Sequence, residues 1–199
     1  MGRKSLATER IAQILDAFEA CIVRHGLEGA TLQRIADEAG MRISMIDHYI
    51  GKRDALVRAM TTRFFETYKR DTAAFLQMLP AENRLDHLID FFFSEASQSY
   101  RPQDFIIFGE LMMLGGRDEA VQQQMVEIYR LIETNFYDEI RNKYPHVSAE
   151  NAQRAAYALL TLWYGNSTFV WIGFDQQRIR WTRQSAEMIL QKLTQGGSD

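Results

Sequence analysis

The chain has 199 residues, 46% of them hydrophobic and 25% charged, with a formal net charge of −3. That composition suits one or two globular domains with a real apolar core, and the charge excludes indiscriminate coating of nucleic acid. No apolar run approaches the ~20 residues of a membrane span, and the sole cysteine, Cys21, excludes an intrachain disulfide and fits a reducing cytoplasm.

The start, Met-Gly-Arg-Lys-Ser-Leu, is basic but runs into no apolar segment of a secretory signal, and Leu6 stands where myristoylation needs Ser or Thr. With three prolines and little β-branched alternation, the expected class is all-α. A first helix is predicted from Thr8 or Glu9 to about His25, burying Ile11, Ile14, Leu15, Phe18, Cys21 and Ile22. Gly26 and Gly29 bound a short loop. Thr31 then reads as an N-cap, and Leu32, Ile35, Ala36 and Ala39 recur at helical spacing. Gly40 falls where the chain must turn with positive φ, Met41 plugs the angle, and Ile43 to Ile50 fits a second helix of about two turns. The three elements form a unit able to place a helix in a DNA groove, or equally a helical hairpin within an ordinary core.

Beyond Gly51 a long amphipathic helix is expected from about Arg53 to Leu79, ended by Pro80. Helices follow at about Glu82 to Ser99, Pro102 to Leu114, Arg117 to Lys143, Ala149 to Gly173 and Gln176 to Leu193. Pro102 suits a first helical position, and Ser148 is a plausible N-cap. The expectation is nine helices: three small ones in a head over residues 1–52, then six longer ones over 53–199. Residues 1–60 hold nine Lys or Arg against eight Asp or Glu, while the remainder hold 14 against 18. A mildly basic head on an acidic body is compatible with DNA contact at one end.

The arrangement as a whole resembles the TetR family of one-component transcriptional regulators. The residues that carry the likeness are His25-Gly26, Ala30-Thr31-Leu32, Ile35-Ala36-Asp37-Glu38-Ala39-Gly40, Ile46, His48-Tyr49-Ile50, Gly51, Lys52-Arg53, Asp54 and Leu56. They cover about residues 8 to 60; the rest agrees in length and helix number. The His-Tyr pair at 48–49 is also similar to the branch containing choline-responsive repressors.

The resemblance implies a homodimer whose heads each insert the second short helix into the major groove of a double-stranded operator. Arg42, Ser44, Met45 and His48 are then the candidates for the DNA-facing side. Arg42 can donate a bidentate pair to guanine or grip a phosphate. Tyr49, Lys52 and Arg53 are expected on phosphates, and Arg34 with the amides near Thr31 on flanking ones. Arg3-Lys4 is expected as a disordered arm in an adjacent groove. Three residues depart from the family pattern. Arg42 stands where a capping Ser or Thr is usual, so Ser44 is expected to cap a shorter helix. Asp47 replaces a hydroxyl-bearing residue that approaches phosphate; it needs Arg42 as a partner, or cytosine N4. Ile43 replaces a residue that is often polar.

From residue 60 onward, aromatics and methionines are dense, mostly as core. Three successive phenylalanines at 91–93 point about 100° apart, so one is expected to line a cavity or an interface. Polar groups within these stripes, His87, Glu95, Tyr100, Glu110, Asn135 and Asn166, are the clues to a pocket. The expected pocket is Phe64, Tyr68, Phe92, Phe108, Glu110, Met112 and Asn166, suited to a small apolar or cationic effector. Tyr157, Leu160, Tyr164 and Trp171 share one face of the penultimate helix, and Trp181, Met188, Ile189 and Leu193 one face of the last. Tyr157, Tyr164, Trp171, Trp181 and Met188 are the expected dimer seam, built as a two-fold four-helix interface.

The mechanism that follows is a population shift, in which an effector moves the helix at 53–79 and respaces the two recognition helices. An enzyme reading lacks support: His25, His48, His87 and His146 are scattered, with no metal-ligand spacing and no Gly-rich phosphate loop. No cofactor, metal or membrane partner is implied. The remaining rival is a helical sensing or interaction module of the same fold whose head no longer binds DNA.

Overall fold

Glycine and the N-cap residues set the helix boundaries in this chain. The computed structural model describes residues 3–94, 102–174 and 178–195, and every regular element among them is an α-helix. They are α1 (Arg3–Gly29), α2 (Leu32–Ala39), α3 (Ile43–Tyr49), α4 (Arg53–Met78), α5 (Arg84–Phe92), α6 (Pro102–Gly115), α7 (Glu119–Lys143), α8 (Ala149–Trp171) and α9 (Arg178–Gln195). The all-α, nine-helix expectation agrees with these nine helices among the described residues.

Helix α1 begins at Arg3, so the backbone of Arg3-Lys4 is helical and not the loose arm that was expected. Its predicted end at His25 reappears as a break: Gly26 adopts φ 70°, ψ 169°, and one more helical turn follows. Thr31 caps α2, its hydroxyl accepting from the Arg34 amide at 3.3 Å. Gly40 closes α2 in the left-handed region, φ 63°, ψ 35°, and its N–H returns to the carbonyls of Ala36 and Asp37. An added Cβ at Gly40 would meet nothing within 4 Å, so only backbone strain opposes a side chain there. Gly40→Ala is therefore expected to cost about 1–2 kcal/mol, read as a lower denaturant midpoint with an unchanged slope. Arg42 occupies the N-cap of α3 without a side-chain cap bond. Ser44 lies within the first turn, which corrects the expected shorter, Ser44-capped helix: Ile43 is already helical.

Further along, Asp118 caps α7, accepting from the amides of Ala120 and Val121 at 3.0 and 3.2 Å. Ser148 caps α8 through the Asn151 amide at 3.2 Å, as its sequence position suggests. Helix α5 is shorter than the predicted Glu82–Ser99: it starts at Arg84 and ends at Phe92, where Phe93 leaves helical geometry at φ −113°, ψ 18°; residues 95–99 of the predicted span lie outside the described residues.

Two compact units organise these helices: Met1–Thr72 with Gln103–Met125, and Ala73–Pro102 with Val126–Asp199. In the first, Ile14, Phe18, Cys21 and Ile22 of α1 are buried together with Ile35 of α2, Ile46 of α3, and Leu56, Met60 and Phe65 of α4. Most of the predicted stripe on α1 is thus buried; Ile11 is half-exposed. Arg63 bridges α4 to α1 through Asp16 at 2.7 Å and Glu19 at 2.6 Å. Burial also pushes the Cys21 thiol above its ordinary pKa. In the second unit, Leu85, Leu88, Phe92 and Phe93 of α5 are buried, as are Ile128, Ile132, Phe136 and Ile140 of α7 and Ala152, Ala156 and Leu159 of α8. Of the three successive phenylalanines, Phe91 is the one left half-exposed, and it packs on Phe75 with ring centroids 3.9 Å apart. Among the described residues no helix is long and apolar enough to cross a membrane.

Candidate nucleic-acid interface

Helix α3 is amphipathic because it has one anchor. Ile46 is fully buried, and it holds the helix so that Ser44, Asp47 and His48 stay exposed, as does Arg42 at its start. Met45 and Tyr49 are half-buried, and the Tyr49 ring meets His48 edge-on at 5.0 Å. Helix α2 braces this surface from behind: Ile35, Ala36 and Ala39 are buried, and Gln13 of α1 donates to the Ala39 carbonyl at 2.8 Å. A short helix presenting polar side chains from a fixed base is what groove reading requires.

Arg42 and Lys52 are exposed and, among the described residues, unpaired within the chain; both remain available to an external anion. Asp47 is likewise exposed and does not pair with Arg42, so one of the two partners it was expected to need is not supplied by the chain. Thr31 spends its hydroxyl on the α2 cap. Arg34 lies exposed beside it, its guanidinium donating to the Gly29 carbonyl at 2.6 Å.

Arg53 is placed differently from the expected phosphate contact. Its guanidinium turns inward, donates to the carbonyls of Leu27 and Ala30, and lies 5.0 Å above the Phe18 ring. The break at Gly26 is the physical reason, since it leaves carbonyls at the end of α1 without helical partners. Burial lowers the Arg53 pKa from the ordinary guanidinium value. The sequence signal for this role was a cation at the first residue of α4, where the helix dipole does not favour one.

The expected sensor residues divide between the two units. In the first, Phe108 of α6 lies 6.5 Å from both Phe64 and Tyr68 of α4. Burial, with the Asp104 carboxylate adding to it, pushes the Tyr68 phenol far above its ordinary pKa. Met112 is half-buried on α6. Glu110 is not lined up with these rings as expected: its carboxylate accepts the Leu27 amide at 3.0 Å, against the break in α1. In the second unit, Phe92 packs between Phe136 and Trp163, at 5.1 and 5.0 Å. Asn166 instead joins the α8–α9 face, where its oxygen accepts from Thr182 at 2.9 Å. Of the other pocket clues, Asn135 donates to the Leu131 carbonyl on its own helix at 2.6 Å, while Glu95 and Tyr100 lie outside the described residues.

The seam candidates on α8 and α9 are exposed: Tyr157 61%, Trp171 55%, Trp181 59% and Met188 66%. Tyr164 differs, being half-buried with its ring edge-on to Tyr129 at 5.6 Å. Sequence reasoning missed three contributors to this face, Phe169, Phe174 and Arg178, although the aromatic density offered a signal for the first two. The Arg178 guanidinium lies 4.7 Å over Phe174 and 5.7 Å over Trp181. Together they border a groove of about 660 Å³ between α8 and α9.

No protein-family model matches the chain. It is 29% identical to the HTH-type transcriptional regulator BetI of Escherichia coli over 167 residues, spanning 81% of this chain and 82% of BetI. Among solved structures, the TetR transcription regulator of Haloarcula marismortui aligns with a TM-score of 0.75 at 21% identity, over 93% of this chain and 98% of that one. A TetR-like transcriptional regulator of Rhodococcus sp. RHA1 aligns at 0.64 with 16% identity, over 94% and 96%. The fold is the one these regulators share.

Proposed function

We propose that this chain, which has the fold of TetR-type regulators, is a DNA-binding transcriptional regulator that acts as a homodimer. In this reading residues 1–52 are the reading head, and 53–199 sense a ligand and dimerise. A small apolar or cationic effector, the class that an aromatic lining suits, releases the protein from its operator in the cytoplasm. The observation that carries the reading is α3, with one side anchored by Ile46 and the other offering Arg42, Ser44 and His48 to a groove.

The division of labour follows from exposure. Arg42, at the start of α3, is the candidate for base reading, with Ser44, Met45 and His48 beside it. Lys52 and Tyr49 are the candidates for phosphate, with Arg34 and the amides near Thr31 on the flanking strand. The effector side rests on Phe64, Tyr68, Phe108 and Met112. A coupling of about 1–3 kcal/mol between effector and operator would lower DNA affinity roughly 5- to 150-fold.

Selection of duplexes from a random pool by the full-length protein, then footprinting of the winner, tests this directly. Arg42→Ala is expected to weaken binding to that duplex by about 1–3 kcal/mol and to relax the preference at one base pair. An equal loss on every sequence would reassign Arg42 to a phosphate. A second reading, a sensing or interaction module with a silent head, is favoured by the unpaired carboxylate of Asp47 on α3 and by the inward turn of Arg53. A wild-type protein that enriches no duplex even at low salt, where phosphate contacts are strongest, would establish that reading instead.

A further inference from the structure

One long-range link to the reading head comes from α6, from a residue that the aromatic pattern assigns to a pocket. We propose that Glu110 is a positioning residue for the head: its carboxylate, by holding the Leu27 amide, fixes the turn from α1 into α2 and with it the aim of α3. The inference rests on the regulator reading above and adds to it the point at which α6 controls the head.

At Gly26 the left-handed backbone breaks the helical ladder, so the amides just beyond it need other acceptors. Leu27 finds one in Glu110 Oε2 at 3.0 Å, 83 residues away in the chain. Glycine at position 26 accepts the positive φ and leaves room for the carboxylate; a Cβ there would crowd Glu110 Oε1 at 3.1 Å. The other side of the same residue is held from α4, where Arg53 takes the Leu27 and Ala30 carbonyls. A third tie runs from Arg117, in the turn after α6, to Glu28 at 2.7 Å. Residues 26–31 are thus gripped through Leu27 N–H by α6 and through Leu27 C=O by α4. They lead directly to Thr31, the cap of α2.

Glu110 shares α6 with Phe108, whose ring meets Phe64 and Tyr68. A ligand that seats against Phe108 and shifts α6 also shifts the backbone that carries Glu110. A hydrogen bond at 3.0 Å weakens steeply with small displacements, so a shift of about 1 Å in α6 is enough to release Leu27. A charge-assisted bond is also stronger than a neutral one, which suits a contact that must hold until displaced.

The test uses the full chain and the duplex enriched by the wild type, with a scrambled duplex as control. Glu110→Ala is expected to bind the selected duplex about tenfold more weakly, as when roughly one head arrangement in ten is competent. Binding to the scrambled duplex is expected to change less than about twofold, because phosphate attraction does not need a fixed head. Hydrogen exchange at the Leu27 amide should accelerate in the same variant. Glu110→Gln keeps an acceptor oxygen but not the charge, so its losses should be smaller than those of Glu110→Ala on every measure. If Glu110→Ala does not fold, Glu110→Asp, whose carboxylate is one methylene too short to reach Leu27, takes its place with the same expectation. Unchanged Leu27 exchange, equal losses on both duplexes, or a Gln variant as impaired as Ala would each overturn the positioning role. A wild type that enriches no duplex overturns the regulator reading itself, and the positioning role falls with it.

Discussion

A protein carrying Trp181→Ala together with Met188→Asp is expected to sediment as a single chain of 23.1 kDa, and the wild type at twice that mass. Trp181 and Met188 of α9, and Tyr157, Phe169 and Trp171 of α8, are each more than half exposed. Large apolar side chains exposed together in this way mark a surface that another molecule covers. A two-fold contact repeats every residue, so the carboxylate at 188 is introduced twice and desolvated twice. Each buried, unpaired charge costs several kcal/mol, and the lost Trp181 contacts add to that. Operator affinity follows the mass. Two linked heads bind by about 10²–10⁴ more than one, so the double variant should lose at least about 100-fold on a two-site operator and little on a half-site. Sedimentation and titration of both duplexes read the two effects separately. A double variant that remains a dimer would place the seam elsewhere; a wild type that is already monomeric would remove it altogether.

The second large effect concerns the head. Phe18→Ala is expected to destabilise it by about 3–5 kcal/mol, the range for deleting a fully buried phenylalanine. Phe18 has no exposed surface, and its ring is also the floor on which Arg53 rests. Removing it takes away a cation–π contact of about 0.5–2 kcal/mol and leaves the guanidinium over a void. Since whole domains are stable by only about 5–15 kcal/mol, much of the head's stability is at stake. Amide exchange in α2 and α3 should therefore accelerate by two or more orders of magnitude, since each 1.4 kcal/mol is about tenfold. A change below about 1 kcal/mol would mean that the cavity collapses without loss, and that Phe18 is not the keystone of this core.

Legibility in the sequence followed the range of the forces involved. The α2–Gly40–α3 unit could be read because each signal is local: the Thr31 hydroxyl caps the helix that begins beside it, and Gly40 takes the positive φ its position demands. The stripe on α1 was readable for the same reason, since Ile14, Phe18, Cys21 and Ile22 recur at helical spacing and are buried. Arg53 was not, because its charge is visible in sequence but the freed carbonyls that capture it appear only once α1 breaks at Gly26. Glu110 was misplaced for a related reason. Its neighbours Phe108 and Met112 suggested a pocket, whereas its partner is the backbone of Leu27, which carries no side-chain signature. Asn166 was read with the sensor aromatics, yet its contact is Thr182, one helix further on.

Cys21 is sealed in the first unit, 2% exposed and with its pKa raised by burial, so its thiolate is scarce and its sulfur sterically shielded. Maleimide or spin-label chemistry will therefore pass over it. One cysteine installed at an exposed site such as His48 would be modified alone, and in a two-chain assembly each copy would bear one probe. The distance between those two probes, followed as candidate effectors are titrated, would then track the spacing of the paired heads without any prior deletion of a native thiol.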